Sequence, residues 1–329
     1  MRNSTDVERA AGPAAAAAPS VPEVTVAMPA RNAARFIAQA IESVLGQQDI
    51  ALEMIVVDDH SEDDTAKVAE SFRDPRLTVV RNDRHRGIAA CHNRIIAMSR
   101  ADYVAHVDAD DFLLPGALRK LVDVLLRDPN AGQAHCYFFD VDSHGRMTRD
   151  SFATRWKGFH RNRPPTLDYR EALKRGSIAN GLRTFPRRVL EELGGFDERL
   201  PYGIDYDMAL RVVDRYAIRL VPEFLYGRRV HDTNTTGSLR FTRLRLWAIK
   251  YVSRRRLVRE GRVSFLSGSQ FDLHWYLRDR WAMELRTARP AIRASARRAW
   301  MMVRWRVVAP LIARTYGLVR RRRSTPTPR

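Results

Sequence analysis

Three groups of polar residues in this chain stand where apolar runs end, the places from which side chains can reach a ligand. The stretch "AHVDADDFLLP" (Ala105–Pro115) sets Asp108, Asp110 and Asp111 behind an apolar run that includes Tyr103, Val104, Ala105 and Val107. Adjacent carboxylates repel one another, so something cationic is expected to offset them: a metal ion, a helix N-terminus or solvent. An Asp-x-Asp pair on one strand projects both side chains to the same side. Two such carboxylates suit a hard divalent cation, Mg²⁺ or Mn²⁺, which prefers oxygen ligands and often bridges a diphosphate. The competing reading is a polar turn that caps the next helix, where Asp is common. In "EMIVVDDHSEDDT", Asp58 and Asp59 end the run Met54–Val57 and are followed by Ser61, Asp63 and Thr65. Asp63 or Asp64 suits the N-cap of a helix beginning near Thr65, whereas Asp58 and Asp59 come too early for it. A carboxylate there can accept hydrogen bonds from a ribose hydroxyl or a uracil N–H. The third group, Pro29-Ala30-Arg31-Asn32, follows the apolar run Val24–Met28.

The elements that must position these groups alternate along the chain. Val24–Met28 reads as a buried strand, and "ARFIAQAIESVLGQ" carries Phe36, Ile37, Ala40, Ile41, Val44 and Leu45 at helical spacing before Gly46. Met54–Val57, "LTVVRN" and "DYVAHVDADD" read as further strands, with "AKVAESF" and "GIAACHNRIIAMS" as helices between them. Strands written as unbroken apolar runs, alternating with helices, predict an α/β fold with a mostly parallel sheet covered on both faces. Ligands bind such sheets outside the carboxyl ends of the strands, and all three polar groups sit at those ends. Beyond Pro115 a helix ("GALRKLVDVLLRD"), a strand ("AHCYFFDVDSHG"), an Arg- and Pro-rich loop from Arg155 to Pro165, and a short helix stopped at Gly194-Gly195 are expected. A helix "DYDMALRVVDRYA" follows, and then one or two strands in "IRLVPEFLYGRRVHD". Asp205 opens that helix, where it could serve as an N-cap or as a base whose charged form the helix terminus favours. His106, inside a strand, is expected in the core.

Composition bounds the function. The 329 residues are 45% hydrophobic and 29% charged, which is globular. Cys91 and Cys136 offer no disulfide framework, so a reducing compartment is the simpler expectation. The net charge of +19 is confined to the end of the chain: from Arg240 onward there are 24 Lys+Arg and 4 Asp+Glu, before it 33 and 34. Such asymmetry points to an anionic partner for the tail, a membrane surface or nucleic acid. The longest apolar stretch, "AWMMVRWRVVAPLIARTYGLV", is interrupted by Arg304, Arg306, Pro310 and Arg314, and does not form a spanning helix. No P-loop, dinucleotide fingerprint or zinc spacing occurs.

Taken together, "VTVAMPARNAARFIAQAIESVLGQ", "EMIVVDDHSEDDT", "DYVAHVDADDFLLP" and "LGGFDERLPYGIDYDMALR" resemble the successive motifs of the family 2 glycosyltransferases over about Val24–Asp232. The resemblance implies the GT-A fold and an inverting, metal-dependent transfer from a nucleotide-diphosphate sugar, most often UDP-linked. It also implies roles. Pro29, Arg31 and Asn32 would line the nucleotide pocket; Asp59 would meet the base with Asp58 close by; Asp108 would lie near the ribose. Asp110 would hold Mn²⁺ or Mg²⁺, with His231 near the metal. Arg86 and Asn93 are the remaining candidates for nucleotide-sugar binding, and Asp205 matches the general base. The pattern is broken in three places: Ile204 stands where Glu usually precedes the base, Cys91-His92-Asn93 replaces Ala-Arg-Asn, and Arg31 replaces a frequent aromatic. Arg86 or Arg94 could substitute for the missing arginine.

The organisation expected is a disordered leader over 1–21, a catalytic domain over 22–239 and a helical, Arg-rich C-terminal extension over 240–329. Partners expected are a nucleotide-sugar donor, a glycan or lipid-linked acceptor and an anionic membrane surface at the cytoplasmic face. Nucleic acid is not expected, because the basic residues avoid the domain carrying the ligand-like clusters. The rival readings are a basic nucleic-acid-binding protein and a catalytically inactive nucleotide-sugar-binding relative.

Overall fold

The structure, a computed structural model, describes residues 21–148, 181–200, 203–231, Ser253 and 256–264. Residues 1–20 of the expected leader, the loop from Arg155 to Pro165 and the chain beyond 264 lie outside the described residues. Fourteen elements follow one another: β1 Val24–Ala30, α1 Ile37–Leu45, β2 Leu52–Asp58, α2 Thr65–Glu70, β3 Leu77–Arg81, α3 Ile88–Met98, β4 Tyr103–His106, β5 Phe112–Leu113, α4 Ala117–Arg127, β6 Ala131–Val141, β7 Gly181–Pro186, α5 Arg187–Glu192, α6 Ile204–Arg215 and β8 Ala217–Arg229. The strands form one sheet in the order β3-β2-β1-β4-β7-β6-β8-β5. β3, β2, β1 and β4 are mutually parallel, as the unbroken apolar runs predict. β7 enters antiparallel to β4 and β6, β8 runs parallel to β6, and β5 closes the far edge antiparallel to β8.

Side-chain alternation sorts the strands between two cores. Val24, Val26, Met28, Met54, Val56 and Ala105 pack with α1 and α4 on one face. Ala27, Ile55, Val57 and Val104 pack with α3, α5 and α6 on the other. Leu257 and Val263, from the part of the basic extension that is described, are buried in this second core. Both cysteines are buried and form no disulfide. Among the described residues no helix is long and apolar enough to cross a membrane.

Two expectations are corrected, one open reading is resolved and one strand is new. β1 runs through Pro29 to Ala30 instead of stopping at Met28. Ala27 accepts from Val107 on the β4 side and Ala30 accepts from Asp59 on the β2 side. Pro29 shares the parity of Ala27, so its missing N–H faces the side where β4 has already ended at His106, and no ladder bond is lost. β4 itself stops at His106, so Asp108 and Asp110 occupy a turn, closed by Asp111 N–H donating to Asp108 C=O at 3.1 Å, and strand alternation does not orient them. "IRLVPEFLYGRR" is one 13-residue strand with Ala217 at its start, β8. β7, in "GLRTFP", is a strand the apolar pattern did not disclose.

Candidate active site

The strand order turns back at β1, with β2 on one side and β4 on the other, and the crevice beyond these strand ends is where an open α/β sheet binds ligands. The loop after β1 is tied to the loop after β2. Asn32 N–H donates to Ser61 Oγ at 3.0 Å, Glu62 N–H donates to Asn32 Oδ1 at 2.9 Å, and Ala33 N–H donates to Thr65 Oγ1 at 2.7 Å. Asn32 takes φ +52°, a left-handed conformation that Asn tolerates better than most residues. Arg31 stands exposed beside Glu62 at 3.7 Å, and Pro29, two residues before it, is half-buried. Asp63, not Asp64, is the side chain that secures the start of α2, accepting from Thr65 N–H at 3.0 Å and Ala34 N–H at 3.1 Å.

Asp59 is buried, and its carboxylate accepts four hydrogen bonds: Asn82 Nδ2 at 2.7 Å, His85 Nδ1 at 2.7 Å, Arg86 N–H at 2.8 Å and Gly87 N–H at 2.8 Å. Burial alone pushes its pKa up, but these donors outweigh it and hold the carboxyl below the usual carboxylate range. Asp59 therefore folds the 82–87 loop around itself. Asp58, fully buried, meets Arg81 at 3.2 Å through Oδ2, while its Oδ1 has no partner among the described residues. The Arg86 side chain turns outward to Asp83 at 2.8 Å, and Arg94 donates to Asn82 Oδ1 at 2.6 Å.

The Asp108–Asp111 turn is braced from β8. Asp108 N–H donates to Tyr226 Oη at 3.2 Å, Arg229 N–H donates to Asp111 Oδ1 at 2.7 Å, and Arg229 Nε donates to Asp110 C=O at 2.9 Å. Gly227 allows this approach: a Cβ there would lie 2.3 Å from the Phe112 ring. Burial in the cleft pushes the Asp108 carboxyl up, Arg183 opposes it, and the charges of Asp110 and Asp205 add to the rise. Part of Asp108 still faces the opening, with 45% of its side chain exposed. Asp111, buried beside Asp108 and Asp110, is held well above the usual range despite the Arg229 N–H and the Tyr226 hydroxyl. Crowded carboxylates of this kind are relieved by a cation. Asp110 Oδ2 lies 2.9 Å from His231 Nε2, so a carboxylate oxygen and an imidazole nitrogen already converge there. Among the described residues no three His, Cys, Asp or Glu side chains form a preorganised metal cluster. Mg²⁺ and Mn²⁺ sites do not demand one, because phosphate oxygens and waters complete the coordination sphere. The residues present fit a divalent cation held by Asp110 and His231.

Arg183 closes the cleft. On β7 it is the register partner of His106, so its guanidinium emerges beside the end of β4. It lies 3.3 Å from Asp205 Oδ2 and 4.0 Å from Asp108 Oδ1. α6 starts at Ile204 with Gly203 in the capping position at φ +71°, so Asp205 sits inside the first turn and is not the N-cap. Its Oδ1 accepts from Tyr206 N–H at 2.8 Å. Ile204 points into the core, 6% exposed. Asp108, Asp110, Asp205 and His231 are thus brought to one cleft, with Asp58, Asp59 and the β1 loop along its β2 side. Asn93 is placed apart from them. It accepts from Phe196 N–H at 2.7 Å and donates to Phe196 C=O and Glu198, bracing the Gly194–Phe196 loop. Gly195, at φ +66°, leaves room for Asn93, since a Cβ would lie 2.6 Å from its Oδ1. The same loop is gripped by Arg211, which donates to Leu193 C=O at 2.8 Å and Gly195 C=O at 2.9 Å, and by Arg262, which donates to Leu193 C=O.

Arg183, Tyr226 and Arg229 are the cleft residues that motif reading passed over. For Arg183 and Arg229 the available signal was an arginine inside an otherwise apolar strand, "GLRTFP" and "FLYGRRV", which needs a carboxylate nearby to be tolerated.

The model described as glycosyl transferase family 2 matches residues 25–194. Chondroitin synthase of Escherichia coli is 27% identical over 218 residues, which make up 66% of this chain and 30% of that protein. The chain therefore spans less than a third of this relative. The mannosyltransferase PcManGT from Pyrobaculum calidifontis, solved with GDP-Man and Mn²⁺, superimposes with a TM-score of 0.57 at 21% identity, covering 90% of this chain and 83% of that one. TarS 1–349 of S. aureus, solved with UDP-GlcNAc, gives a TM-score of 0.61 at 15% identity over 82% and 77%. At such identities the likeness concerns the fold, and the sheet order and helical layers are those of the GT-A arrangement.

Proposed function

The chain belongs to glycosyl transferase family 2, and from that premise we propose that it moves a sugar from a nucleotide-diphosphate sugar to an acceptor hydroxyl with inversion. The observation that carries this reading is the meeting of Asp108 and Asp205, from distant segments, on the single guanidinium of Arg183. A carboxylate pair across a cleft separates the two tasks an inverting transfer sets. The acceptor hydroxyl attacks the anomeric carbon from the face opposite the diphosphate, and Asp205 takes its proton as general base, a contribution of ~10²–10⁴-fold. The bond to the diphosphate oxygen breaks in the same displacement, so no covalent enzyme intermediate is needed. Asp110 and His231 would hold the divalent cation, which when bound stabilises charge on the departing diphosphate. Asp108 would stand at the ribose side, with Asp58, Asp59, Pro29, Arg31 and Asn32 bounding the nucleotide pocket.

A UDP-linked donor is the reading adopted, supported by TarS, which was solved with UDP-GlcNAc; PcManGT was solved with GDP-Man and with Mn²⁺. The acceptor proposed is a growing glycan or a lipid-linked saccharide, in keeping with the chondroitin synthase relative. The excess of 24 Lys+Arg over 4 Asp+Glu from Arg240 onward supports docking on an anionic, cytoplasmic membrane face. The test is a mass-spectrometric screen of nucleotide-sugars for Mn²⁺- or Mg²⁺-dependent transfer or hydrolysis, with two variants. Asp205→Asn is expected to keep donor affinity and lose about 10² or more in turnover. Asp110→Ala is expected to lose Mn²⁺-dependent nucleotide binding in calorimetry. Near-normal turnover in the first, or unchanged metal-dependent binding in the second, would overturn the assignment concerned.

A further inference from the structure

Arg183 is largely buried in the cleft, and the rings packed beside its strand leave its charge to the two carboxylates. Its side chain is 17% exposed, with Asp205 at 3.3 Å and Asp108 at 4.0 Å. Its register partner, His106, stacks on His92 from α3 with ring centroids 4.1 Å apart and planes 13° from parallel. Phe185 packs against His106, and Phe196 packs against both rings. Burial and then the nearby Arg183 push His92 down to about 3, and burial, His92 and Arg183 push His106 well below its usual value. Both rings are therefore neutral at physiological pH and add no cation beside the guanidinium. The backbone before Arg183 is constrained as well. Leu182 takes φ +41°, a left-handed conformation that a bulky side chain rarely adopts, and a Cβ on Gly181 would lie 2.9 Å from Cys136 C=O. Such outliers persist only where the surroundings over-determine them. The position before Asp205, Ile204, is buried in the core and brings no polar group to the base.

We propose that Arg183 is a positioning residue for the transfer step, fixing the Asp205 carboxylate beside Asp108 so that the base meets the acceptor hydroxyl in one orientation. The role rests on Asp205 being the base. Among the described residues, the charged groups shown facing Asp205 are Arg183 from β7, Asp108 from the turn after β4, and the N-terminal dipole of its own helix. Asp207, two residues further along the helix, is committed to Arg211 and Arg256. Without Arg183, Asp205 would lose one of the partners that orient it and the guanidinium that it shares with Asp108.

The experiment uses the full chain with the donor identified by the screen and compares Arg183→Met, Arg183→Gln and Arg183→Lys with the wild type. Arg183→Met is expected to lower kcat by about 10- to 100-fold, the scale of a misplaced reacting group, with donor KM within a few-fold. Arg183→Lys keeps the cation and is expected to restore part of kcat. An unchanged kcat in Arg183→Met would overturn the proposal. So would a raised donor KM at normal kcat, which marks a donor contact, or a Lys variant no better than Met, which marks packing alone. If the Met variant does not fold, Arg183→Gln is read by the same criteria. Asp205→Asn, run in parallel, separates the two claims. Near-normal turnover in it removes the base itself, whereas a crippled Asp205→Asn beside an indifferent Arg183 series removes only the positioning role.

Discussion

Replacing Arg256 with Met should destabilise the protein by about 2–3 kcal/mol, although this residue lies in the strongly basic end of the chain. Its guanidinium is 10% exposed and pairs with Asp207 at 2.9 Å and with Asp197. Asp207 is fully buried and also receives Arg211 at 2.8 Å and the Ser253 hydroxyl. Asp197 keeps Arg199 at 2.8 Å. Stripping a buried charge of its only partner costs about 3–5 kcal/mol. Here each carboxylate retains a second cation, so the loss is closer to that of charge-assisted hydrogen bonds, about 1.5–3 kcal/mol each at most, partly offset by the methionine stem filling the space of the arginine chain. Asp207→Asn should cost more, about 3–5 kcal/mol, because Arg211, 1% exposed, and Arg256 lose the buried charge they share, and the single amide oxygen that remains can face only one of them while the amide N–H faces the other. Urea unfolding with linear extrapolation measures both, provided the slope m is unchanged. An Arg256→Met protein within about 0.5 kcal/mol of wild type, a threshold near the scatter of surface substitutions, would refute the reasoning. A ranking in which Asp207→Asn is the milder change would refute it too.

Two other outcomes are expected. Asp59 has a folded pKa below the unfolded value of about 3.9, because its hydrogen bonds outweigh burial. Its stabilisation is therefore complete above the unfolded value and is lost as pH falls through the folded one. Asp59→Asn should be less stable at pH 7 by about 1–2 kcal/mol and should lose less further stability on acidification below about pH 4; denaturation midpoints falling in parallel for both proteins would contradict this. For the tail, truncation after Ser264 should leave the fold and nucleotide binding intact while abolishing salt-sensitive binding to anionic vesicles, to which each Lys or Arg near the surface contributes ~1 kcal/mol. Truncation after Leu239 removes Leu257 and Val263 from the core and should unfold the chain. Equal binding of the full chain to neutral and anionic vesicles, or stronger competition by DNA than by anionic lipid, would remove the membrane reading.

The sequence by itself determined the parallel half of the sheet and the helices that cover it. Unbroken runs such as Met54–Val57 have one stable place, between two helical layers, and the 3.6-residue spacing of Ile37, Ile41 and Val44 names the face that α1 buries. It also placed Asp58, Asp59, Asp108 and Asp110 at strand ends, because the change from apolar run to carboxylates is local. Only the tertiary structure decided what these carboxylates face. β4 stops at His106, two residues before Asp108, so a turn braced by Arg229 and Tyr226 orients the acidic group, and both braces come from β8. β7 enters antiparallel, and the pairing of Arg183 with His106 then places a guanidinium between Asp108 and Asp205. Had β7 slipped by one residue, Arg183 would face the opposite side of the sheet, since side chains alternate with period two. Register between strands so far apart in sequence is set by the joint packing of both cores, and no local spacing records it. For the same reason the charge count of the tail could not show that Arg256 and Arg262 turn inward to Asp207 and Leu193. A charge is assigned to core or surface by the groups that surround it in space, and those are fixed only when the chain has folded.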